Sequence, residues 1–371
     1  MAKKILLGCY EVPGYGGAST AGYKLFEMMQ SDGLAVSYLN LIDEQDVDYY
    51  RYVFGEYFGN PKSMANVYNC VLKGQVYDPH PELDNTINDL SPDILVGIGY
   101  LAAFLMKRAA PKKHMIFITS GCQQAKDYID RNRAKDFISL SDNIKHAKGI
   151  PVLFPSLELD ALRNSDFIIT HSDMTMFLFQ HFFPPSQVEK IYTDVIWFAE
   201  WIYKDALDYS SLKKTFFERA IDILFIASAW SRPEKNYKMV EKIVLRCKGF
   251  NIHIVGAVEK KVAGARHHGV IMKREDLFNL MGNTKTIVCP SLFDAAPGIL
   301  FEAPAMGCNI IASKNCGNWQ ICNEELLVDA FNLNNFLKKI SLSLTKKFND
   351  HIDYFLKTKS YKNLLETISV F

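Results

Sequence analysis

The chain has 371 residues, with 42 lysines and arginines against 41 aspartates and glutamates, 49% apolar and 22% charged residues. At roughly 100–200 residues per domain that length fits two globular domains, and a net charge of +1 excludes a whole-molecule field for gripping nucleic acid or an anionic membrane. The longest apolar run, 94–106, ends at Lys107-Arg108 and falls short of the roughly 18–20 residues that cross a bilayer.

Met1-Ala2-Lys3-Lys4 leads into an apolar run at 4–8. It is too short for a signal h-region and reads as a first strand, so a cytoplasmic protein is expected. Pro13-Gly14-Tyr15-Gly16-Gly17-Ala18-Ser19-Thr20 follows as a glycine-rich turn opening a helix, where backbone can approach a ligand closely. The absence of Gly-Lys-Ser/Thr excludes a Walker A loop. Asp46-Val47-Asp48 has the Asp-x-Asp form of a manganese site, but it sits in the polar stretch 43–48 and not after a buried strand.

Further short apolar runs at 35–39, 94–98, 115–119, 167–170, 223–227, 251–255, 286–289 and 309–312 alternate with helical stretches. That pattern predicts an α/β chain of two Rossmann-like halves, each a parallel sheet covered on both faces. The aromatic and charged region 195–220 places a hinge between an N-terminal domain, 1–198, and a C-terminal domain, 199–349. The tail 350–371 reads as a helix packing back across the molecule. The stretch 174–183, with Phe177, Leu178, Phe179, Phe182 and Phe183, reads either as core or as an exposed patch for peripheral membrane contact. Eight cysteines lack Cys-x2-Cys spacing, so they are expected to be reduced, mostly core filler, with no metal site. His267-His268 reads as a solvated turn.

The segment 288–307 carries the most chemistry. A buried strand ends in Pro290-Ser291, Asp294 follows, and Pro297-Gly298 stands where a helix begins. Amides at that start, Gly298 and Ile299, suit a phosphate, and the carboxyl ends of strands in a doubly wound sheet are where ligands bind. Glu302, a turn into the helix, is placed to accept two hydrogen bonds from a ribose diol, and Asp294 suits a sugar hydroxyl. Past strand 223–227, Arg232 and Lys235 supply two cations for a diphosphate.

This arrangement resembles the Glu-x7-Glu motif of retaining GT-B glycosyltransferases, specifically glycosyltransferase family four. Asp294 stands in the first acidic position and Glu302 in the second. Pro290-Ser291, Glu302-Ala303, Gly307 and Ile310-Ile311-Ala312-Ser313 fit the surrounding pattern; Asp in place of the first Glu, and Pro304, depart from it. The resemblance is dense over 221–325 and thin over 1–200.

What it implies is a GT-B fold, two Rossmann-like domains with a nucleotide-sugar cleft between them. The implied reaction is retaining transfer of a hexose from a nucleoside diphosphate sugar, UDP favoured, to a hydroxyl of a glycan or lipid-linked glycan in polysaccharide biosynthesis; the stretch 174–183, if an exposed patch, would place it peripherally at the inner face of a membrane. Lys235, Arg232 and Asp294 are the implied catalytic residues. Gly16, Gly17, Gly256, Lys273, Pro297, Gly298, Ile299 and Glu302 are the implied donor-binding residues. No metal, cofactor or nucleic acid is expected. The family's histidine after strand 115–119 is replaced by Ser120-Gly121-Cys122, so that contact is missing or supplied from elsewhere, and His171 reads either as a structural histidine, the favoured reading, or as its substitute. Two other readings are a non-catalytic nucleotide-sugar or glycan binding protein on the same fold, and a metal-dependent GT-A transferase using Asp46 and Asp48.

Overall fold

The computed structural model describes residues 3–13, 17–53, 66–119, 121, 157–182, 190–192, 197–358 and 361–369. Among them lie two sheets in which every strand pair is parallel. The first contains β1 (Ile5–Tyr10), β2 (Val36–Asp43), β3 (Val67–Leu72), β4 (Ile94–Ile98), β5 (His114–Ile118), β6 (Phe167–Ile169) and β7 (Ile191–Tyr192), in the order β3-β2-β1-β4-β5-β6-β7. The second contains β8 (Ile221–Ala229), β9 (Ile252–Ala257), β10 (Arg266–Gly269), β11 (Thr284–Cys289), β12 (Asn309–Ser313) and β13 (Leu327–Val328), in the order β10-β9-β8-β11-β12-β13.

Both sheets grow outward from their first strand and then cross to its other side. They are doubly wound, with topological switch points beside β1 and β8, and the crevice for a ligand lies at the carboxyl ends there. The central strands are continuous apolar runs because helices cover both faces; all five residues of β4 are buried.

The nine strands read from the sequence are present. β3, β7, β10 and β13 are additional. The polar β10, Arg-His-His-Gly, lies at a sheet edge against β9. This corrects the solvated-turn reading of His267-His268. His268 Nε2 lies 3.0 Å from His253 Nδ1, and His253 Nε2 lies 3.1 Å from Asn251 Oδ1. Burial, then the charges of His268 and Arg266, push His253 down to about 4.

One apolar cluster joins the sheets. Phe26 and Val96 from the first part of the chain share it with Leu224, Leu300 and Phe301, and with Ile352, Phe355, Leu364 and Ile368 from the tail. Each such fully buried side chain contributes about 1.5–3 kcal/mol. The tail forms two helices, Ile352–Thr358 and Tyr361–Ser369, and both lie against helix Trp197–Asp208. That helix also packs on helix Ile299–Ala305, with the Phe198 and Phe301 rings edge to face at 5.8 Å.

In helix Asp173–Phe182, Leu178 and Phe179 are fully buried in the core of the first sheet, with Phe177 partly buried against them. That part of the aromatic stretch is therefore core and not a membrane patch; the Phe182 side chain and Phe183 lie outside the described residues. Among those residues, no helix is long and apolar enough to cross a membrane. The seven described cysteines are free thiols, all buried; Cys122 lies outside the described residues.

The GT-A reading called for one compact sheet with Asp46 and Asp48 as metal ligands. Two doubly wound sheets form instead. Asp48 has a side chain 98% exposed and 3.7 Å from Arg51.

Candidate functional site

The site is assembled where the loops after β8 and β11 are tied together. After β8, Trp230 Nε1 donates to the Val255 carbonyl at 2.9 Å, and the chain then turns through Pro233–Lys235 into a left-handed Asn236 with φ 60°. The Asn236 side-chain amide donates to the carbonyls of Pro290 and Ala330 at 3.0 and 3.1 Å. The Leu292 amide donates to the Glu234 carbonyl at 2.8 Å. These bonds bring Lys235 onto Asp294, with Lys235 Nζ donating to Asp294 Oδ2 in an ion pair. Burial works to lower the Lys235 ammonium, but the charge of Asp294 and its hydrogen bond together outweigh burial, and the net shift is upward.

Asp294 is positioned by backbone. Its amide reaches the Asn315 carbonyl at 3.4 Å, and its carbonyl accepts from the Gly317 amide at 2.7 Å. A Cβ added at Gly317 would lie 1.8 Å from the Ala295 carbonyl oxygen and 2.5 Å from Ser172 Oγ. Only glycine lets these loops meet. Ser172 follows β6, so the carboxyl end of the first sheet reaches the Asp294 loop, and Gln320 Nε2 adds a 3.3 Å bond to Asp173. His171 lies at the same junction, its ring edge-on to Phe198 at 4.8 Å. Beneath Asp294, Cys289 Sγ and Cys316 Sγ are 3.7 Å apart.

Helix Ile299–Ala305 is short and contains Pro304. The amides of Leu300, Phe301 and Glu302 are taken by the carbonyls of Pro297 and Gly298 at 2.9–3.1 Å, which leaves those of Gly298 and Ile299 at the helix start. Its other end is held by cations. Arg219, 5% exposed, donates to the carbonyls of Met306 at 3.0 Å and Gly307 at 2.8 Å, and Lys213 Nζ to Ala305 at 3.2 Å. Positive charge on the last carbonyls complements the helix dipole. Neither cation was expected from the sequence, because both lie in the irregular segment before β8.

Glu302 meets an arginine that the sequence reading passed over. Arg274 Nη2 lies 3.3 Å from Glu302 Oε1 and also pairs with Asp205 Oδ2. Burial pushes the Glu302 carboxyl up, Arg274's charge and hydrogen bond oppose that, and Asp205 adds to it; the net shift is upward. The signal available was Arg274 and Phe278 four residues apart, one turn of a helix.

The remaining expected residues stand apart from these pairs. Arg232 turns onto its own loop, its Nε 2.8 Å from Glu234 Oε1, and its side chain is 45% exposed. Gly256, at φ +117°, sits where a Cβ would come within 1.8 Å of the Ala227 carbonyl oxygen, so close packing of β9 on β8 demands glycine there. Lys273 is exposed just before helix Arg274–Gly282. Gly17 opens helix Gly17–Ser31 with nothing within 4 Å of an added Cβ. Gly16 lies outside the described residues. The arrangement as a whole offers a largely buried ammonium–carboxylate pair, helix-start amides without a partner among the described residues, and a half-engaged carboxylate beyond the carboxyl ends of β8 and β11, a set suited to an anion carrying a polyol.

No family model matches the sequence, and no curated protein matches it. Solved structures share its fold. Sucrose-phosphate synthase from Thermosynechococcus elongatus is 12% identical, with 99% of this chain and 98% of that chain covered and a TM-score of 0.69. Anabaena HepE in complex with UDP and glucose is 12% identical over 99% of this chain and 100% of that chain, with a TM-score of 0.67. UDP-GlcNAc 2-epimerase from Methanocaldococcus jannaschii is 13% identical over 99% and 100%, with a TM-score of 0.56. The fold of this chain is GT-B.

Proposed function

We propose that this chain is a retaining glycosyltransferase that moves a hexose from a nucleoside diphosphate sugar, UDP-sugar first, to a hydroxyl of a glycan or lipid-linked glycan in glycoconjugate assembly. Residues 199–349 hold the donor, and 1–198, with the tail packed back, receive the acceptor. The observation that carries this reading is the joint placement of the Lys235–Asp294 pair and Glu302 around the start of one helix at the switch point of the second sheet. A shared fold does not choose the reaction, since an epimerase has it too. What favours transfer is the Asp294 and Glu302 spacing together with Lys235.

In this reading Glu302 binds the ribose diol, and the amides of Gly298 and Ile299, following Pro297, meet the diphosphate. Lys235 has three N–H donors, of which one goes to Asp294; the others neutralise the phosphate as it leaves. Arg232, whose guanidinium end is the exposed partner of its pair with Glu234, is the second cation and turns towards the phosphate to assist. Asp294 holds a sugar hydroxyl. The diphosphate is already a good leaving group, so no paired acid and base of the glycosidase kind is required. The acceptor hydroxyl attacks from the face the phosphate leaves, and a phosphate oxygen takes its proton. Charge stabilisation by protein cations and amides replaces a metal ion. Gly16, Gly17, Gly256 and the backbone beside Lys273 complete the donor pocket.

The test is a thermal-shift panel of UDP, GDP, ADP and CMP, followed by turnover of the matching nucleotide hexose with an acceptor panel. Stabilisation by a nucleoside diphosphate and acceptor-dependent release of it are expected. Stabilisation by none of the four overturns the reading, and binding without turnover leaves the binding-protein alternative in its place.

A further inference from the structure

Arg274 opens helix Arg274–Gly282, and its guanidinium is held from three sides. It pairs with Asp205 of helix Trp197–Asp208, reaches Glu302 Oε1 at 3.3 Å, and lies over the Phe278 ring with Cζ 4.8 Å from the centroid. Stacking on an aromatic face fixes the plane of a guanidinium, and its rigid fork then fixes the carboxylate it meets. Glu302 Oε2 has no protein hydrogen bond among the described residues. Two carboxylates share one guanidinium, which leaves a net negative charge. Such a site disfavours phosphate and favours hydroxyl donors.

Resting on the donor reading above, the geometry points to Arg274 as a positioning residue: it aims the Glu302 carboxylate so that its open oxygen receives the hydroxyls of a ribose diol, while Asp205 and Phe278 hold Arg274 in place. The Arg274 charge has a second effect. Glu302 sits in a buried setting that favours its protonated form, Asp205 adds to that tendency, and Arg274 opposes it. These are the charged groups acting on Glu302 among the described residues. Without the guanidinium, Glu302 takes up its proton at higher pH and loses acceptor capacity for the diol.

The experiment is calorimetry of UDP, GDP and ADP with the full chain from about pH 8.5 to about pH 6, because each pH unit below a carboxyl's pKa costs up to about tenfold in the ionised form. Wild type, Arg274→Gln, Arg274→Lys, Asp205→Asn and Glu302→Gln are compared. The nucleotide's terminal phosphate titrates near pH 6, so every variant is scored against wild type at the same pH. For Arg274→Gln the deficit is expected to widen progressively towards the acid end. Arg274→Lys keeps the charge, so it shows a deficit that does not widen, and Asp205→Asn shows no widening either.

A deficit in Arg274→Gln equal at every pH, or wild-type affinity throughout, overturns the inference; if that variant fails to fold, a widening deficit in Arg274→Lys does so. Wild-type affinity in Glu302→Gln, or no nucleotide bound by wild type, overturns the ribose assignment itself and the inference with it. A weak Glu302→Gln beside an unaffected Arg274→Gln removes the Arg274 role alone.

Discussion

Lys235 and Asp294, 59 residues apart in the chain, form an ion pair whose side chains keep only 16% and 15% of their surface exposed. Two loops from neighbouring strands are thereby locked at the point where the helix Ile299–Ala305 begins. Removing one partner leaves the other as a buried charge, which costs about 3–5 kcal/mol, whereas removing both takes away the pair and the penalty together. The double variant Lys235→Ala/Asp294→Ala is therefore expected to be less destabilised than the sum of the two single variants. Denaturant midpoints supply the cycle. Strict additivity would show that the pair does not couple in solution. Turnover in Lys235→Ala should drop by about 10²–10³, the usual effect of losing one transition-state charge contact.

The same lysine sets an alkaline limit. Its folded-state pKa is raised, so the stability it contributes is complete below the unfolded value of about 10.4 and is lost as pH rises through the folded value. This residue should impose no loss of activity between neutral pH and about pH 10. A fall within that range that disappears in Lys235→Arg would contradict the assignment.

Turnover is expected to persist in excess chelator, because Lys235, Arg232 and the amides of Gly298 and Ile299 carry the charge stabilisation. Activity abolished by chelator and restored by manganese would place a metal in the mechanism.

His253 offers a check on the edge of the second sheet. Its pKa is pushed down to about 4, first by burial and then by the charges of His268 and Arg266. A depressed folded value means that the unfolded chain binds the proton more readily. Stability from this group is present above the unfolded value of about 6.5 and is lost as pH falls towards about 4. His253→Asn should accordingly flatten the acid limb of a stability-versus-pH curve across that window. An unchanged slope would contradict the buried, neutral histidine.

Gly317→Ala and Gly256→Ala should both destabilise by more than about 2 kcal/mol, since each puts a Cβ 1.8 Å from a carbonyl oxygen. Gly317→Ala should also reduce turnover, because it separates the Asp294 loop from Ser172, and Gly256→Ala should act on stability first. Wild-type denaturant midpoints in both would refute the close approaches.

The central strands of both sheets were legible from residues alone, because a strand buried on both faces must be apolar over its whole length. β3 and β10 were not: each lies at a sheet edge, with Tyr68 and Asn69 or Arg266 exposed, and carries no such run. Residues 288–307 announced the strand, the turn and the helix start through Pro290, Pro297 and Gly298, and Asp294, Glu302 and Lys235 could each be singled out from their spacing. Their partners could not. Burial of Leu178 and Phe179 depends on which face of a helix meets the sheet, and an apolar stripe does not state its neighbour. Arg274, Asp205 and Glu302 come from three helices, and Arg219 and Lys213 reach a helix end more than 80 residues away. Periodicity and caps are properties of a few adjacent residues and can be read along the chain. An ion pair between distant segments exists only after crossover connections have brought strand ends together, so the charge environment of Glu302 and Lys235 was decided by the packing of the two sheets.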